Sequence, residues 1–397
     1  MHLSKEKKWF ILMILVAAIF VGYVARMSIS IALPFISREF SWTGKQQGLL
    51  GGTLLGVFLL GYGASNLFLS RYIDIYGSKK MLSFSILLWS LSLLLGAIFP
   101  TYYMILFSRL ILGVSQGVLF PVASKVTSGW FEPSERARAN SIYMSGGPFG
   151  VMLAPLLLTP VIIDTSWQTS FYLVFALGLV VLVPVVLFIT CRPKEVNRCE
   201  PSVDELRYLS MLKNKQFVIV MIGYTIMSSV WWGLTLWLPT FLVEAKGIEL
   251  GQISFGASVP YVGAVAGMYI GSYISDRYGR RKYLIVVSLI LGGLFLLLIT
   301  LLNIQSIYLL VVLLFLVFFN GQMAPPLFFT ILQDMVHKSK MGAATGLMNG
   351  VGNGVGVIGP LLVGVLIAFT GSYNLGFSAL GIMLVMGGLF VTAYKGR

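Results

Sequence analysis

The chain has 397 residues, 57% hydrophobic and 11% charged, with 43 glycines and a formal net charge of +14. A soluble domain carries about 25% charged residues, and its folded surface needs a polar covering that this composition lacks. A water-soluble enzyme, a disordered chain and a secreted disulfide scaffold are excluded. A basic balance suits nucleic acid only where Lys and Arg cluster on one face, and no such cluster is visible, so no nucleic-acid partner is expected. The other source of a basic balance is a membrane protein with Lys/Arg-rich cytoplasmic loops. Cys191 and Cys199 are the two cysteines, and no disulfide framework or cysteine metal site is readable from them.

A helix needs about 20 mostly apolar residues to span a bilayer. Twelve such stretches are predicted, at 9–37, 48–70, 81–99, 102–127, 138–162, 168–190, 216–243, 252–275, 283–302, 307–333, 342–369 and 373–394. The first is too long for a cleaved leader, carries Arg26 and lacks a clear small-residue cleavage site. With the N-terminus inside, the cytoplasmic segments hold 23 Lys/Arg and the opposite loops hold Arg38, Lys45 and Lys246. That asymmetry predicts a multi-pass inner-membrane protein with both termini in the cytoplasm. The polar stretch Cys191 to Lys215 divides the spans six and six, giving bundles at 1–190 and 216–397 and a cytoplasmic linker at 191–215. The halves echo one another. Leu33-Pro34 recurs as Leu238-Pro239, Asp74 as Asp276, Pro121 as Pro326, Pro155 as Pro360 and Phe171 as Phe377, at offsets of 205, 202, 205, 205 and 206. Two six-helix repeats with a site at their interface near the midplane are the natural reading.

After the eighth span comes Asp276-Arg277-Tyr278-Gly279-Arg280-Arg281-Lys282, and after the second a degraded copy in which Asp74, Gly77 and Lys79 survive. This resembles the loop motif Asp-Arg-x-Gly-Arg-Arg of the major facilitator superfamily. Within that superfamily the chain is most similar to the anion:cation symporter family. The match rests on Tyr23-Val24-Ala25-Arg26, on Arg109 with Gly113, on Trp130-Phe131-Glu132-Pro133 with Glu135-Arg136, and on Trp237-Leu238-Pro239. The resemblance implies an all-α polytopic protein of twelve transmembrane helices in two pseudo-symmetric bundles, moving its substrate by alternating access. The loop motif has a physical reading of its own. Asp74 and Asp276, at helix ends, can accept from neighbouring helix N-termini and pair with Arg277, Arg280 or Arg281, a cytoplasmic latch. The plainer alternative is topology alone.

Two cations fall inside predicted spans, Arg26 and Arg109. A cation at the bilayer centre costs at least about 2.5 kcal/mol on insertion scales, so each should face the protein interior or water and have a partner. Tyr23, Arg26 and Ser30 share one helix face, as do Arg109, Gly113, Gln116 and Phe120. Arg109 and Gln116 are about 10.5 Å apart along the axis. A guanidinium fork suits a carboxylate, so Arg26 is expected to hold a substrate anion with Tyr23 and Tyr62 beside it. The alternative is an arginine paired with backbone carbonyls. Arg109, nearer a helix end, has that alternative and a second one, snorkelling to the surface.

The chain departs from the resembled family where that family's proton-coupled members carry acids. Those positions are Ala25 and Gln116, and all 14 Asp/Glu fall in loops or at helix ends. Proton relays in membranes use buried Asp, Glu or His, so conventional carboxylate-based proton coupling is expected to be weakened or absent. Facilitation or anion exchange stays open, as do coupling through the substrate's own proton or Asp334, and a Gln116 that mimics a protonated Glu. By the repeat offset Trp231 matches Arg26, so the second half offers an aromatic wall. Trp231 and Trp232 are candidates there, whereas an interfacial belt is the plainer reading for Trp237. Tyr261, Asn320, Gln322, Asn349 and Asn353 are the other polar candidates, against a purely structural role. Gly146-Gly147-Pro148, Gly150 and the glycines from Gly350 to Gly359 mark close helix approach and bending.

No catalytic set, metal cluster or phosphate loop is readable, so neither an enzyme nor a cofactor is expected. The expected function is transport of a small organic anion, a sugar acid or carboxylate, by a monomer in a lipid bilayer, with a proton or counter-anion as an open second partner. The alternatives are an exporter of amphipathic compounds and a non-transporting sensor on a transporter scaffold.

Overall fold

Backbone N–H and C=O groups in a bilayer have no water to bond, so an apolar stretch must close its hydrogen bonds within itself. In the computed structural model, which describes residues 2–69, 72–131, 133–189, 209–248, 253–302, 304, 306–336 and 341–395, every predicted span is helical over most of its described residues. The helices are α1 (His2–Glu39), α2 (Gly44–Phe68), α3 (Ser78–Ile98), α4 (Tyr102–Thr127), α5 (Pro133–Asp164), α6 (Trp167–Phe188), α7 (Lys215–Ala245), α8 (Ile253–Tyr278), α9 (Arg281–Leu301), α10 (Ile307–Met335), α11 (Gly346–Thr370) and α12 (Tyr373–Val391). Eleven are long and apolar enough to cross a membrane. The twelfth, α8, has the length, 26 residues, but is richer in Ser, Gly and Tyr.

Short polar residues start these helices, because their side-chain oxygens satisfy N–H groups that the first turn leaves open. Thr101 accepts from Met104, Ser166 from Thr169, Ser306 from Leu309 and Ser372 from Leu375. Asn214 opens α7 by accepting from both Gln216 and Phe217. Gly77 and Gly279, three residues after the repeat-related Asp74 and Asp276, have φ of 82° and 65°. Both copies of the loop motif thus turn through the left-handed region, where only glycine is at ease.

Packing divides the protein into two units, one of Met1–Ile29 with Leu60–Val203 and one of Ser30–Leu59 with Asp204–Arg397. In the first, α3 packs on α4 and α6, and Trp89, Trp167 and Phe171 are fully buried. In the second, α8 packs on α10, α9 on α10 and α12, and α7 on α11 and α12.

Although it precedes the sequence midpoint, the segment Ser30–Leu59 belongs to the second unit. The Ser30 hydroxyl donates to the Leu236 carbonyl. Tyr373 donates to Gln47 Oε1 at 2.7 Å, and Gln47 Nε2 donates to Ser37 at 3.1 Å. A Cβ on Gly48 would collide with the Gly364 carbonyl, and one on Gly364 with that of Gly48. Small residues are what allow two membrane helices to come so close. Trp237, read from sequence as an interfacial residue, is instead wholly buried and donates to the Pro360 carbonyl at 2.9 Å. Its place near the end of α7 suggested a belt. The hydrogen bond of its indole to the Pro360 carbonyl holds it inside the unit instead.

The approach of α2 to α11 yields a prediction. Gly364→Val should lower the thermal midpoint of the purified protein, on the order of the 1–3 kcal/mol that overpacking costs. Gly346→Ala should not, since nothing lies within 4 Å of a Cβ there. Equal midpoints for the two variants would count against the close packing.

Candidate substrate site

The first unit carries a polar cluster on α1, α2 and α4. Arg26 is 1% exposed, and its Nε donates to Gln116 Oε1 at 2.6 Å. Its guanidinium carbon lies over the Tyr23 ring at 4.2 Å and over the Tyr62 ring at 4.6 Å. Gln116 turns its other end to α1, with Nε2 donating to the Gly22 carbonyl at 3.0 Å. The amide orients the guanidinium without cancelling its charge. Immediately past Gln116 the helix loosens over Gly117–Val118, where Gly117 backs onto Ser65 of α2. Tyr23 rests on α5, where a Cβ on Gly147 would meet its ring at 3.0 Å. The glycines of α5 make room for α1 and its tyrosine.

Arg109, expected in the anion site, is placed differently. It is fully buried, and its Nη1 and Nη2 donate to the carbonyls of Ala25 at 3.1 Å and Arg26 at 3.0 Å. The fork grips the α1 backbone under Arg26. It does not snorkel, and those two donors are engaged on the α1 backbone. Sharing a face with Gln116 brings Arg109 to α1, where its planar fork spans two adjacent helical carbonyls.

In the second unit the candidates fall on two sides of α7. On one side Trp231, Tyr261 and Phe318 form an edge-to-face cluster, with centroids 6.2, 5.3 and 5.0 Å apart pairwise. Trp231, Phe318 and Gln322 also line a small cavity with Met227, Val230 and Leu234. Tyr261, expected as a polar contact, is 1% exposed, with its ring packed into this cluster. Asn320, also expected there, donates from Nδ2 to the Leu316 carbonyl of its own helix at 2.8 Å. That is a local back-bond of the kind polar residues make in membrane helices.

On the other side of α7 lies a hydrogen-bonded chain. Trp232 Nε1 donates to Asn353 Oδ1 at 2.9 Å, and Asn353 Nδ2 donates to the Oδ1 and main-chain oxygen of Asn349 at 2.8 and 2.9 Å. The hydroxyl of Tyr224 donates to Asn349 Oδ1 at 3.2 Å, and Phe58 packs against Trp232 at 6.4 Å. Tyr224 and Phe58 were not expected from sequence. For Tyr224 the signal was present, because Tyr224, Ser228 and Trp232 recur at i, i+4 and i+8 along α7.

Among the gating candidates, the side chains of Asp74 and Asp276 lie outside the described residues. Arg277 is exposed and donates to the Tyr273 hydroxyl at 3.4 Å, and Arg280 is exposed at the start of α9. Arg281 forms an ion pair with Asp334, tying the start of α9 to the end of α10. Asp334 is 57% exposed in its side chain, so it sits at the protein margin. At the opposite helix ends, Lys246 donates to the Ile299 carbonyl at 3.2 Å. Partial burial holds its pKa below the ordinary lysine value.

The sequence pattern of the Major Facilitator Superfamily matches residues 15–258 and 220–397. The chain belongs to that superfamily, and it is a membrane transporter rather than an enzyme. It is 26% identical to the hexuronate transporter of Bacillus subtilis over 98% of this chain and 93% of that protein. It is 24% identical to a probable galactarate/D-glucarate transporter of Escherichia coli, over 96% and 92% of the two chains. It is also 26% identical to a probable sulfoacetate transporter of Cupriavidus necator, over 93% and 90%. Among solved structures, a D-xylose-proton symporter superposes with a TM-score of 0.82 at 13% identity, covering 97% of each chain. A bacterial homologue of the human lysosomal transporter Spinster gives 0.76 at 15%, covering 97% and 96%. At those identities the structures speak for the fold.

The clamp on α1 is testable by stability. Arg109→Ala should destabilise the purified protein by at least about 1.5–3 kcal/mol, the worth of a hydrogen bond to a charged group. Arg109→Lys, which can reach one carbonyl but not bridge two, should fall between. Thermal midpoints in detergent that match the wild type would remove the clamp.

Proposed function

We propose that this transporter carries a small organic anion, a sugar acid or carboxylate, across a bacterial inner membrane, with Arg26 as the group that holds the negative charge. The observation that carries the reading is the setting of Arg26. It is a buried cation with Nε fixed by a neutral amide and two tyrosine rings over its guanidinium. An anion approaches such a guanidinium in its plane, where two parallel N–H bonds match two carboxylate oxygens. In a low-dielectric surrounding each such bond is worth more than in water. The relatives named as transporters of hexuronate, galactarate/D-glucarate and sulfoacetate support the same substrate class. Trp231, Trp232, Gln322, Asn349 and Asn353 are proposed as the second unit's contribution to recognition. The distribution of Lys and Arg supports cytoplasmic termini.

Conventional proton coupling is proposed to be weak or absent. Proton relays in membranes run through buried acids or histidines, and the acids with described side chains, Glu6, Glu39, Asp164, Glu244 and Asp334, stand near helix ends. Gln116 occupies the place nearest Arg26 where such an acid would serve, and an amide does not titrate.

The test is uptake of D-glucuronate and D-glucarate into proteoliposomes. Arg26→Ala should abolish uptake while the purified variant stays folded, and retained uptake would sink the anion-site reading. At clamped voltage an imposed pH gradient should change wild-type uptake little, and a steep rise would refute the coupling proposal. Gln116→Glu should create a pH dependence. When ionised, the new carboxylate pairs with Arg26 and competes with the substrate, and falling pH relieves that competition. Uptake by this variant should therefore increase as pH falls, and a flat profile would contradict the place assigned to Gln116.

A further inference from the structure

The polar chain on α7 and α11 has a direction, and the direction follows from counting protons. An indole N–H donates and cannot accept. Because Trp232 Nε1 points at Asn353, the atom facing it must be the amide oxygen. The Asn353 NH2 group then has two protons, and both are spent, on the Asn349 side-chain and main-chain oxygens. Turning this amide over would set an NH2 against the indole N–H and an oxygen against the Asn349 carbonyl, so the orientation is fixed twice. Asn349 Oδ1 thereby receives two donors, from Asn353 and from the Tyr224 hydroxyl. Its acceptor capacity is used up.

What remains of Asn349 is its NH2 group, which makes no hydrogen bond among the described residues, on a side chain that is only partly buried. Two glycines of α11 let the rings lie this close. A Cβ on Gly352 would collide with the Tyr224 ring, and one on Gly356 would meet Trp232 at 3.2 Å.

We infer that Trp232 and Tyr224 are positioning residues that lock the two asparagine amides head to tail, so that Asn349 offers the substrate donors and no acceptor. The inference rests on the anion-transport reading and deepens it. A donor-only amide selects an oxygen acceptor on the substrate, a hydroxyl or second carboxylate oxygen, and disfavours an ammonium or amide N–H at that place. Trp232 itself need not touch the substrate. Its ring could be replaced by any ring of similar size were packing its whole role, whereas its N–H sets the sign of the chain.

The experiment measures binding and uptake of D-glucuronate by the full-length protein in proteoliposomes, for wild type, Trp232→Phe, Asn353→Asp and the double variant. Phe keeps a ring and removes the donor. Asp keeps an acceptor for Trp232 but, when ionised, gives Asn349 no donor, so the Asn349 amide is released to turn. Each single variant should raise the Kd about tenfold, as expected for one misdirected hydrogen bond, with the effect falling on Kd rather than on the maximal rate. The double variant should bind no more weakly than either single one, because one chain can be broken only once. An unchanged Kd in Trp232→Phe, or Kd increases that multiply in the double variant, would overturn the inference while leaving the anion reading intact. Failure of the wild-type protein to bind D-glucuronate or D-glucarate at all would overturn the anion reading and this inference together.

Discussion

A guanidinium taken out of water loses its hydration and must recover it from the protein, and much of the first unit is arranged around that requirement. Two arginines are buried side by side, so carbonyl and amide dipoles have to serve for both. Arg109 spends its fork on the Ala25 and Arg26 carbonyls, which fixes the helical turn that carries Arg26. Gln116 accepts from Arg26 and donates to the Gly22 carbonyl one turn earlier. Three side chains thus bind α1 to α4 over a single stretch from Gly22 to Arg26. The glycines of α5 let Tyr23 fold over the charge. The two like charges are each held by neutral groups, Arg26 by the Gln116 amide and Arg109 by main-chain carbonyls.

Gln116 is specific to this arrangement in a way that an ionised glutamate is not. Its NH2 faces a carbonyl oxygen, and a carboxylate oxygen there would meet that carbonyl as acceptor against acceptor. A protonated glutamic acid could satisfy both contacts; an ionised one could satisfy the Arg26 side alone. The amide therefore holds permanently the geometry that an acid holds in one protonation state. The same arithmetic governs the second unit, where an indole N–H orders two asparagines. In both units the polar groups are few, and in such surroundings each unmatched donor or acceptor carries a large cost, so the remaining valences are well defined.

Much of this was legible in the sequence. Apolar length gave the helices because a bilayer permits little else, and the i, i+3 spacing of Tyr23 and Arg26 put them on one face. Placement of Arg109, Trp237 and Tyr261 was not legible. Each is a polar group at the right depth and on a plausible face, but whether its donor ends on a substrate or on another helix's carbonyl depends on an approach of a few ångströms between helices. Trp237 carries the same lesson: its indole N–H was readable, but not that it would end on the Pro360 carbonyl. The pairing of Asn349 with Asn353 followed from their i, i+4 spacing, whereas its polarity did not. That polarity is set by Trp232, 121 positions away along the chain.

The two units, each considered alone, present donors: a guanidinium in one and an amide NH2 in the other. Donors select acceptors, and the substrate that satisfies them best under the anion reading is an ionised acid rich in oxygen. Protonating that acid would convert one acceptor oxygen into a donor and set it against the N–H groups of Arg26. A substrate bearing its own proton is therefore a poorer fit than its anion, which argues against carriage of the proton on the substrate as the means of coupling. Under the proposed reading, with no titration at Gln116 and no preference for a protonated cargo, the charge of the anion itself is what remains. Transport of an uncompensated anion responds to membrane voltage, at about 2.3 kcal/mol per charge for each 100 mV, whereas exchange for a second anion of equal charge does not. Under that proposal the buried cation makes coupling a matter of net charge moved per cycle.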